Sequence, residues 1–185
     1  MCGAEVASRV SAAWAALDQV MDPEVPVLSL RDLGVIREVR LVDDGADPAL
    51  DVVVTPTYSG CPATEVIQQS IVEALEAAGL GPVRISMQRA PAWTTDWISA
   101  AGKAKLREYG IAPPGPVATA PDGASVVPIR LVPRAGSPRA AAEAVPCPRC
   151  DSPQTERLSA FGATACKALY RCLACREPFE HFKPI

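Results

Sequence analysis

Cys147-Pro148-Arg149-Cys150 and Cys172-Leu173-Ala174-Cys175 are two C-x-x-C knuckles with 21 residues between them. Each knuckle is a tight turn that can aim two thiolates at one cation, and two such turns complete a tetrahedral S4 site. The segment carrying both is about 40 residues long, too short for an unaided core, so a structural metal would supply the missing stability. An S4 set in a reducing compartment is usually zinc, although the same spacing holds a single iron and four cysteines can hold an iron–sulfur cluster. The expectation is structural Zn2+ on Cys147, Cys150, Cys172 and Cys175, serving folding and partner recognition. Cys166 is expected to be a buried thiol on the second strand of this module, with ligand replacement or exchange as the role left open to it. His181 is not needed as a ligand, because four cysteines already satisfy zinc.

Cys61 is the other residue whose chemistry stands out. If Pro62 opens a helix, Cys61 caps it, and its sulfur faces unpaired N–H groups and the positive end of the helix dipole. That setting favours the thiolate, the form that attacks electrophiles or binds metal. One cysteine cannot hold a cluster alone, so a partner chain, a dimer mate or other ligands would be required. Asp22 and Glu24 would complete a site near Cys61 if the loop after the first helix folds against the start of the second. Capping or turn formation is the structural alternative for Asp22. Thr55 and Thr57, in the loop before Cys61, are expected to support its backbone.

Absent patterns narrow the chemistry. A diiron oxygenase site needs carboxylates and histidines on facing helices as Glu-x-x-His pairs; here His181 is the single histidine. There is no glycine-rich nucleotide fingerprint and no Ser/His/Asp set. The net charge of −3 gives no general attraction to nucleic acid or anionic membranes, and acidic neighbours dilute the basic residues of the tail. No apolar run approaches the roughly 18 residues of a membrane span. Met1 to Glu5 has no secretory character, so the seven cysteines are read as thiols of a cytoplasmic protein.

The elements that must position these residues follow from periodicity. Val6, Val10, Trp14, Leu17 and Met21 recur at helical spacing and predict an amphipathic helix, broken by Asp22-Pro23-Glu24-Val25-Pro26. Val35 to Val42 and Leu50 to Thr55 read as a hairpin around an Asp/Gly/Pro turn. A second helix from Pro62 to Gly79 would bury Ile67, Ile71, Ala74, Leu75 and Ala78. A strand from Val83 to Arg89 and a last helix ending near Tyr109 complete an α-β-β-α-β-α order, an α+β domain. Trp93 and Trp97 are read as packing anchors. Eight of the 19 prolines fall between 112 and 146, which predicts a semi-stiff linker, with Ser125 to Val132 as a strand or docking segment within it.

Several stretches now carry a family resemblance. Asp22-Pro23-Glu24, Leu30 to Ile36 (LRDLGVI), Thr55-Pro56-Thr57 and Gly60-Cys61-Pro62-Ala63 resemble the small α+β domain of SufT-like iron–sulfur assembly factors. Pro91 to Trp97, Lys105 to Pro114 (KLREYGIAPP), Ala160 to Arg171 (AFGATACKALYR), the two knuckles and Glu177 to Phe182 (EPFEHF) resemble the PaaD (PaaJ) family, encoded with phenylacetyl-CoA epoxidase. The resemblance implies a SufT-like domain over 1–111, a linker over 112–145 and a four-cysteine zinc ribbon over 146–185. It implies a non-enzymatic maturation factor that helps assemble or insert a transient iron–sulfur cluster, with Cys61 as the cysteine matching the suspected functional one. The partners it implies are components of the epoxidase, above all the iron–sulfur reductase, and the assembly machinery; it also admits a homodimer. A redox or electron-transfer subunit with iron in the tail is the alternative, and a nucleic-acid-binding ribbon is disfavoured by charge.

Overall fold

The computed structural model describes residues 3–43, 48–58, 60, 62–117 and 145–185. The chain divides into two compact units, residues 1–105 and 106–185.

In the first unit, α1 (Gly3–Leu17) turns Ala13 and Leu17 inward, both fully buried. The apolar spacing predicts a helix reaching Met21, but α1 ends at Leu17, so Val20 takes the inward position and Met21 is exposed. The 3.6-residue period stops with the helix, and the final residue of the pattern loses its face. The two predicted strands form the hairpin β1 (Ile36–Asp43) and β2 (Pro48–Val54), antiparallel with Leu41 opposite Leu50. Helix α2 (Thr64–Ala77) then crosses over to β3 (Val83–Met87), which joins β2 in parallel, giving the order β1-β2-β3. Such a crossover needs a helix between parallel strands, and α2 supplies it.

Leu50, Val52 and Val54 of the central strand and Ile71 and Leu75 of α2 are almost wholly buried. Of the predicted α2 face, Ala78 is exposed, because α2 ends at Ala77 and the chain turns there with Gly79 at φ +70°. On the opposite sheet face, buried Asp51 accepts hydrogen bonds from Arg40 (Nε 3.0 Å, Nη2 2.9 Å) and from the Ser86 hydroxyl at 2.5 Å. Arg9 of α1 donates to the carbonyls of Pro48, Leu80 and Gly81 at 3.1, 3.1 and 2.8 Å, tying the helix to the start of β2 and to the turn before β3.

After β3, a single 3-10 turn (Thr95–Trp97) leads to α3 (Ala100–Tyr109). Trp93 is buried and donates its Nε1–H to the Leu33 carbonyl at 3.0 Å. Trp97 lies under the Arg37 guanidinium, 3.5 Å from the ring centroid. Gly34, at φ +72°, sits so close to Trp97 that a Cβ there would come within 2.7 Å of its carbonyl oxygen. Only glycine accepts both the left-handed backbone and that approach.

The second unit is a four-stranded sheet with the order β4-β7-β6-β5. Its strands are β4 (Ile111–Ala112), β5 (Thr155–Ser159), β6 (Lys167–Cys172) and β7 (Pro178–Phe182). Ile111 and Ala112 pair in parallel with Glu180 and His181, so the start of the proline-rich stretch contributes a strand. The core of this unit is small: Ala112, Ala168, Tyr170 and Phe179 with the sulfurs of Cys147 and Cys172, and Val145 against them. The α+β class and the α-β-β-α-β-α order read from periodicity hold from α1 through α3. The strand or docking segment expected at Ser125 to Val132 lies outside the described residues.

Candidate metal centre and the loops around Asp22

The four knuckle cysteines converge. Their sulfurs all lie within 4.8 Å of one another, with Cys147 Sγ to Cys175 Sγ at 3.8 Å and Cys150 Sγ to Cys172 Sγ at 3.6 Å. A tetrahedral ion with Zn–S bonds of about 2.3 Å holds its sulfurs about 3.8 Å apart. The donor set and its spacing therefore fit one tetrahedral, thiophilic metal ion. In each knuckle the first cysteine is buried and the second exposed, so the inner sulfurs belong to the core while the outer ones face outward.

The two knuckles are built alike. Cys147 N donates to Ser152 O and Cys172 N to Glu177 O, both at 3.0 Å, closing equivalent turns. The residues immediately after the second cysteines, Asp151 (φ 59°) and Arg176 (φ 68°), are the non-glycine residues in the left-handed region among those described. That backbone turns amide N–H groups toward sulfur: Ser152 donates to Cys150, Glu177 to Cys175, and Cys175 and Ala174 to Cys172. Aligned N–H groups of this kind form an anion-binding concavity suited to thiolates.

The thiols do not ionise alike. The Cys175 and Ala174 N–H groups bring Cys172 down to about 6 against the cost of burial. The Glu177 N–H favours a Cys175 thiolate, but burial and the sulfurs of Cys172, Cys150 and Cys147 outweigh it and push Cys175 up to about 12. Cys150 is likewise raised, with the Ser152 N–H overcome by burial and by the Cys172 and Cys147 sulfurs. Four packed sulfurs cannot all carry charge without a cation among them, so ion binding and thiol deprotonation are one event.

Cys166 stands apart from this set. It is buried just before β6, its sulfur 3.0 Å from the Thr164 hydroxyl, and its carbonyl accepts from Lys183 N at 2.9 Å. His181 is also outside the set. It is buried on β7, edge-on to Tyr170 at 5.5 Å between ring centroids, and burial lowers its pKa to about 4, leaving it neutral.

The second candidate region lies at the C-terminal end of β2. A run of backbone hydrogen bonds gathers its loops: Thr55 N to Val35 O (2.9 Å), Val35 N to Leu30 O (3.1 Å), Leu30 N to Val20 O (2.9 Å) and Asp22 N to Leu28 O (2.8 Å). Asp22 is buried, and its Oδ1 accepts from Glu24 N at 2.9 Å and Val25 N at 2.7 Å, an Asx turn over the Pro23 corner. Glu24 is half-buried beside it. Thr55 is 1% exposed, and its hydroxyl is the one buried side-chain polar atom without a hydrogen-bond partner among the described residues.

Cys61 itself lies outside the described residues. The helix after it begins later than Pro62 suggests: α2 starts at Thr64 with Ala63 as its cap residue, and Pro62 and Ala63 form a turn. The cap of α2 is therefore Ala63, and not the residue before Pro62 that a helix opening at Pro62 would use. Ala63 O accepts the first helical bond, from Ile67 N at 2.8 Å, and fixes that start.

Composition did not point to Asp32, although Ser29 and Asp32 have the spacing of a capping box. Asp32 N donates to Ser29 Oγ at 3.0 Å, and Ser29 N donates back to the carboxylate at 3.4 Å. The same carboxylate accepts from Lys105 Nζ at 2.6 Å and Ser99 Oγ at 2.9 Å. Burial works to raise it, but Lys105, Ser99 and Ser29 outweigh burial and hold it below the usual 3.8. The group fastens the Leu30 to Gly34 turn, and so the floor of the Asp22 loops, to the start of α3.

The chain resembles known proteins in both halves. Residues 11–87 match the model of the iron-sulfur cluster assembly protein family, and residues 133–183 match the PaaD zinc beta ribbon domain. Over 177 residues the chain is 46% identical to a protein of Escherichia coli (strain K12) named as a subunit of a "Putative 1,2-phenylacetyl-CoA epoxidase", covering 96% of this chain and 94% of that one. An "Fe-S protein maturation auxiliary factor" of Porphyromonas gingivalis (strain ATCC BAA-308 / W83) is 37% identical over 84 residues, 45% of this chain and 76% of that one. A solved domain of unknown function, DUF59, from Bacillus anthracis superposes with a TM-score of 0.51 at 20% identity, covering 57% of this chain and 97% of that one. That last likeness speaks to the fold. Among the described residues no helix is long and apolar enough to cross a membrane.

Proposed function

The chain belongs to the PaaD family, and from that premise we propose that it is a non-catalytic maturation factor of a phenylacetyl-CoA epoxidase system. It handles an iron–sulfur cluster as cargo in its first unit, for insertion into the oxygenase or reductase components, with the iron–sulfur reductase as the favoured client. The second unit is a closed four-cysteine module whose resident ion is zinc, holding the ribbon folded for partner recognition. The protein works in the cytoplasm, where its thiols stay reduced.

The observation that carries this reading is the buried, unpartnered hydroxyl of Thr55 on the loop that leads toward Cys61, at the end of β2 where Asp22 is also buried. A buried polar atom without a partner costs on the order of 1–3 kcal/mol and persists where a ligand uses it. Cys61 supplies the sulfur of this site, Asp22 and Glu24 shape or complete it, and Thr55 offers a donor beside it. Assistance of this kind requires weak, exchangeable binding, consistent with one cysteine and oxygen donors instead of a closed set. Cys166, buried and partnered outside the tetrad, is an auxiliary thiol of the ribbon's packing.

Anaerobic purification followed by zinc, iron and sulfide analysis of wild type, Cys61→Ala and Cys172→Ala tests the proposal. The expected result is zinc near one per chain, lost only in Cys172→Ala, with reconstituted iron and sulfide dependent on Cys61. Iron in the tail, lost with Cys172 and accompanied by reversible reduction, would overturn it in favour of an electron-transfer subunit.

A further inference from the structure

The loop between β5 and β6 presents an aromatic ring to solvent. Phe161 is 65% exposed, the most exposed large apolar side chain among the described residues. The backbone beneath it is held at every step. Phe161 N donates to Ser159 Oγ at 3.2 Å, Gly162 N to Lys167 O at 2.8 Å, and Ala163 N to Glu180 Oε1 at 2.7 Å. Glu180 is itself fixed by Lys167 Nζ at 2.7 Å, a lysine only 4% exposed. Gly162 allows this closeness, since a Cβ there would come within 2.5 Å of Glu180 Oε1. A mostly buried ion pair thus spends its hydrogen bonds on fixing a loop whose one large side chain makes little contact with the core. Lys183 stands over the ring, its Nζ 4.6 Å from the centroid and 3.3 Å from Ala160 O.

The surroundings continue the theme. Leu158 (50% exposed) is on β5, and Leu173 (44% exposed) adjoins its start through a 2.7 Å bond to Gln154 O. Among the described residues β5 is an edge strand, and Leu158 lies on it. The cation at the ring is Lys183, and residues 145–185 as a whole hold six Lys/Arg against four Asp/Glu, with Arg171 and Lys167 paired to Glu156 and Glu180.

We propose that Phe161 with Lys183 is the docking tip of the ribbon, fitting an apolar pocket rimmed by carboxylates on a protein partner. An aromatic held rigid before binding loses little entropy on docking, and a rigid aromatic flanked by a cation is the composition of an interface hot spot. A base stacked on the ring would use similar groups, but the chain's charge of −3 opposes a polyanion. The inference rests on the maturation reading for the partner's identity, an epoxidase component encoded by the same genome.

Biolayer interferometry of the metal-loaded full chain against each purified epoxidase component tests it, with Phe161→Ala, Lys183→Glu and Lys183→Arg. Phe161→Ala and Lys183→Glu should each weaken binding at least about tenfold, with Lys183→Arg near wild type and zinc content unchanged in all three. Phe161 is exposed, so its truncation leaves the fold intact. Binding of Phe161→Ala within about twofold of wild type overturns the proposal, as does wild type binding no component. Binding of a poly-dT oligonucleotide that is lost with Phe161→Ala also overturns it and assigns the tip to bases. Cluster content dependent on Cys61 is read separately, so the docking tip and the maturation role can fail independently.

Discussion

Cys150 Sγ lies 3.6 Å from Cys172 Sγ, across 22 positions of sequence, with the Cys150 sulfur facing outward and the Cys172 sulfur in the core. This inner–outer asymmetry gives the ligands unequal roles. Cys172→Ser is expected to lose the ion and unfold the ribbon, because it also places a hydroxyl in a core of few side chains. Cys150→Ser should keep the fold, held by three sulfurs, with metal affinity reduced by more than the roughly one to two orders of magnitude that losing an outer-shell partner costs. Chelator competition followed by near-ultraviolet circular dichroism checks both; equal loss in the two variants would contradict the asymmetry.

Metal retention should also tighten with pH. Without an ion the thiols span a range from Cys172 at about 6 to Cys175 at about 12, so binding releases protons through the neutral range. Titration with a competing chelator at pH 6, 7 and 8 should show affinity rising at each step. A flat profile would mean that the thiols are already ionised in the ion-free protein.

Thr55→Val removes the orphan hydroxyl while nearly conserving shape. Stability should rise by about 1 kcal/mol, since a buried unsatisfied donor disappears. If the hydroxyl serves the cargo site, iron and sulfide retained after reconstitution should fall in the same variant. Thermal unfolding and iron analysis on one preparation separate the two effects. A variant with lower stability would show that the hydroxyl is satisfied in solution.

His181 sets a pH limb for the second unit. Its pKa falls from 6.5 to about 4 on folding, so the unfolded chain binds more protons between those values and stability rises with pH across that window. The contribution is on the order of 2–3 kcal/mol, complete above pH 6.5 and gone below about pH 4. Because ion release acts in the same direction, the quantity to measure is the difference between wild type and His181→Phe in denaturant midpoint from pH 4 to 7. That difference should change through the window; a constant difference would refute the linkage.

Asp32 acts at the opposite extreme. Its folded pKa is depressed, so the stabilisation it brings is present above 3.8 and is lost as pH falls through the lower folded value. Asp32→Ala should cost about 1–3 kcal/mol at neutral pH, because the Ser99 hydroxyl and Lys105 lose a charged acceptor. Lys105→Met should cost less than Asp32→Ala, as the ammonium is half-exposed. Urea midpoints at neutral and acidic pH test the order.

Covalent spacing and periodicity by themselves picked out the cysteine tetrad and the element order. C-x-x-C forces two sulfurs into one turn, and the period of the apolar residues separates helix from strand regardless of what packs on them. The same logic failed at element ends. Periodicity put Met21 on the buried face, but α1 stops four residues earlier and Met21 is exposed; Pro62 suits a helix start, but Ala63 is the cap. Ends depend on which backbone groups find partners elsewhere in the fold, and local sequence does not contain that information. The sequence already favoured Cys166 and His181 as outside the cysteine tetrad. Only the tertiary structure decided that Asp32 unites Ser29, Ser99 and Lys105. It alone exposed the hydroxyl of Thr55 as an atom without a partner and Phe161 as a ring held out from the core. Each of these turns on contacts between residues distant in sequence, where burial and the identity of the neighbour set the chemistry.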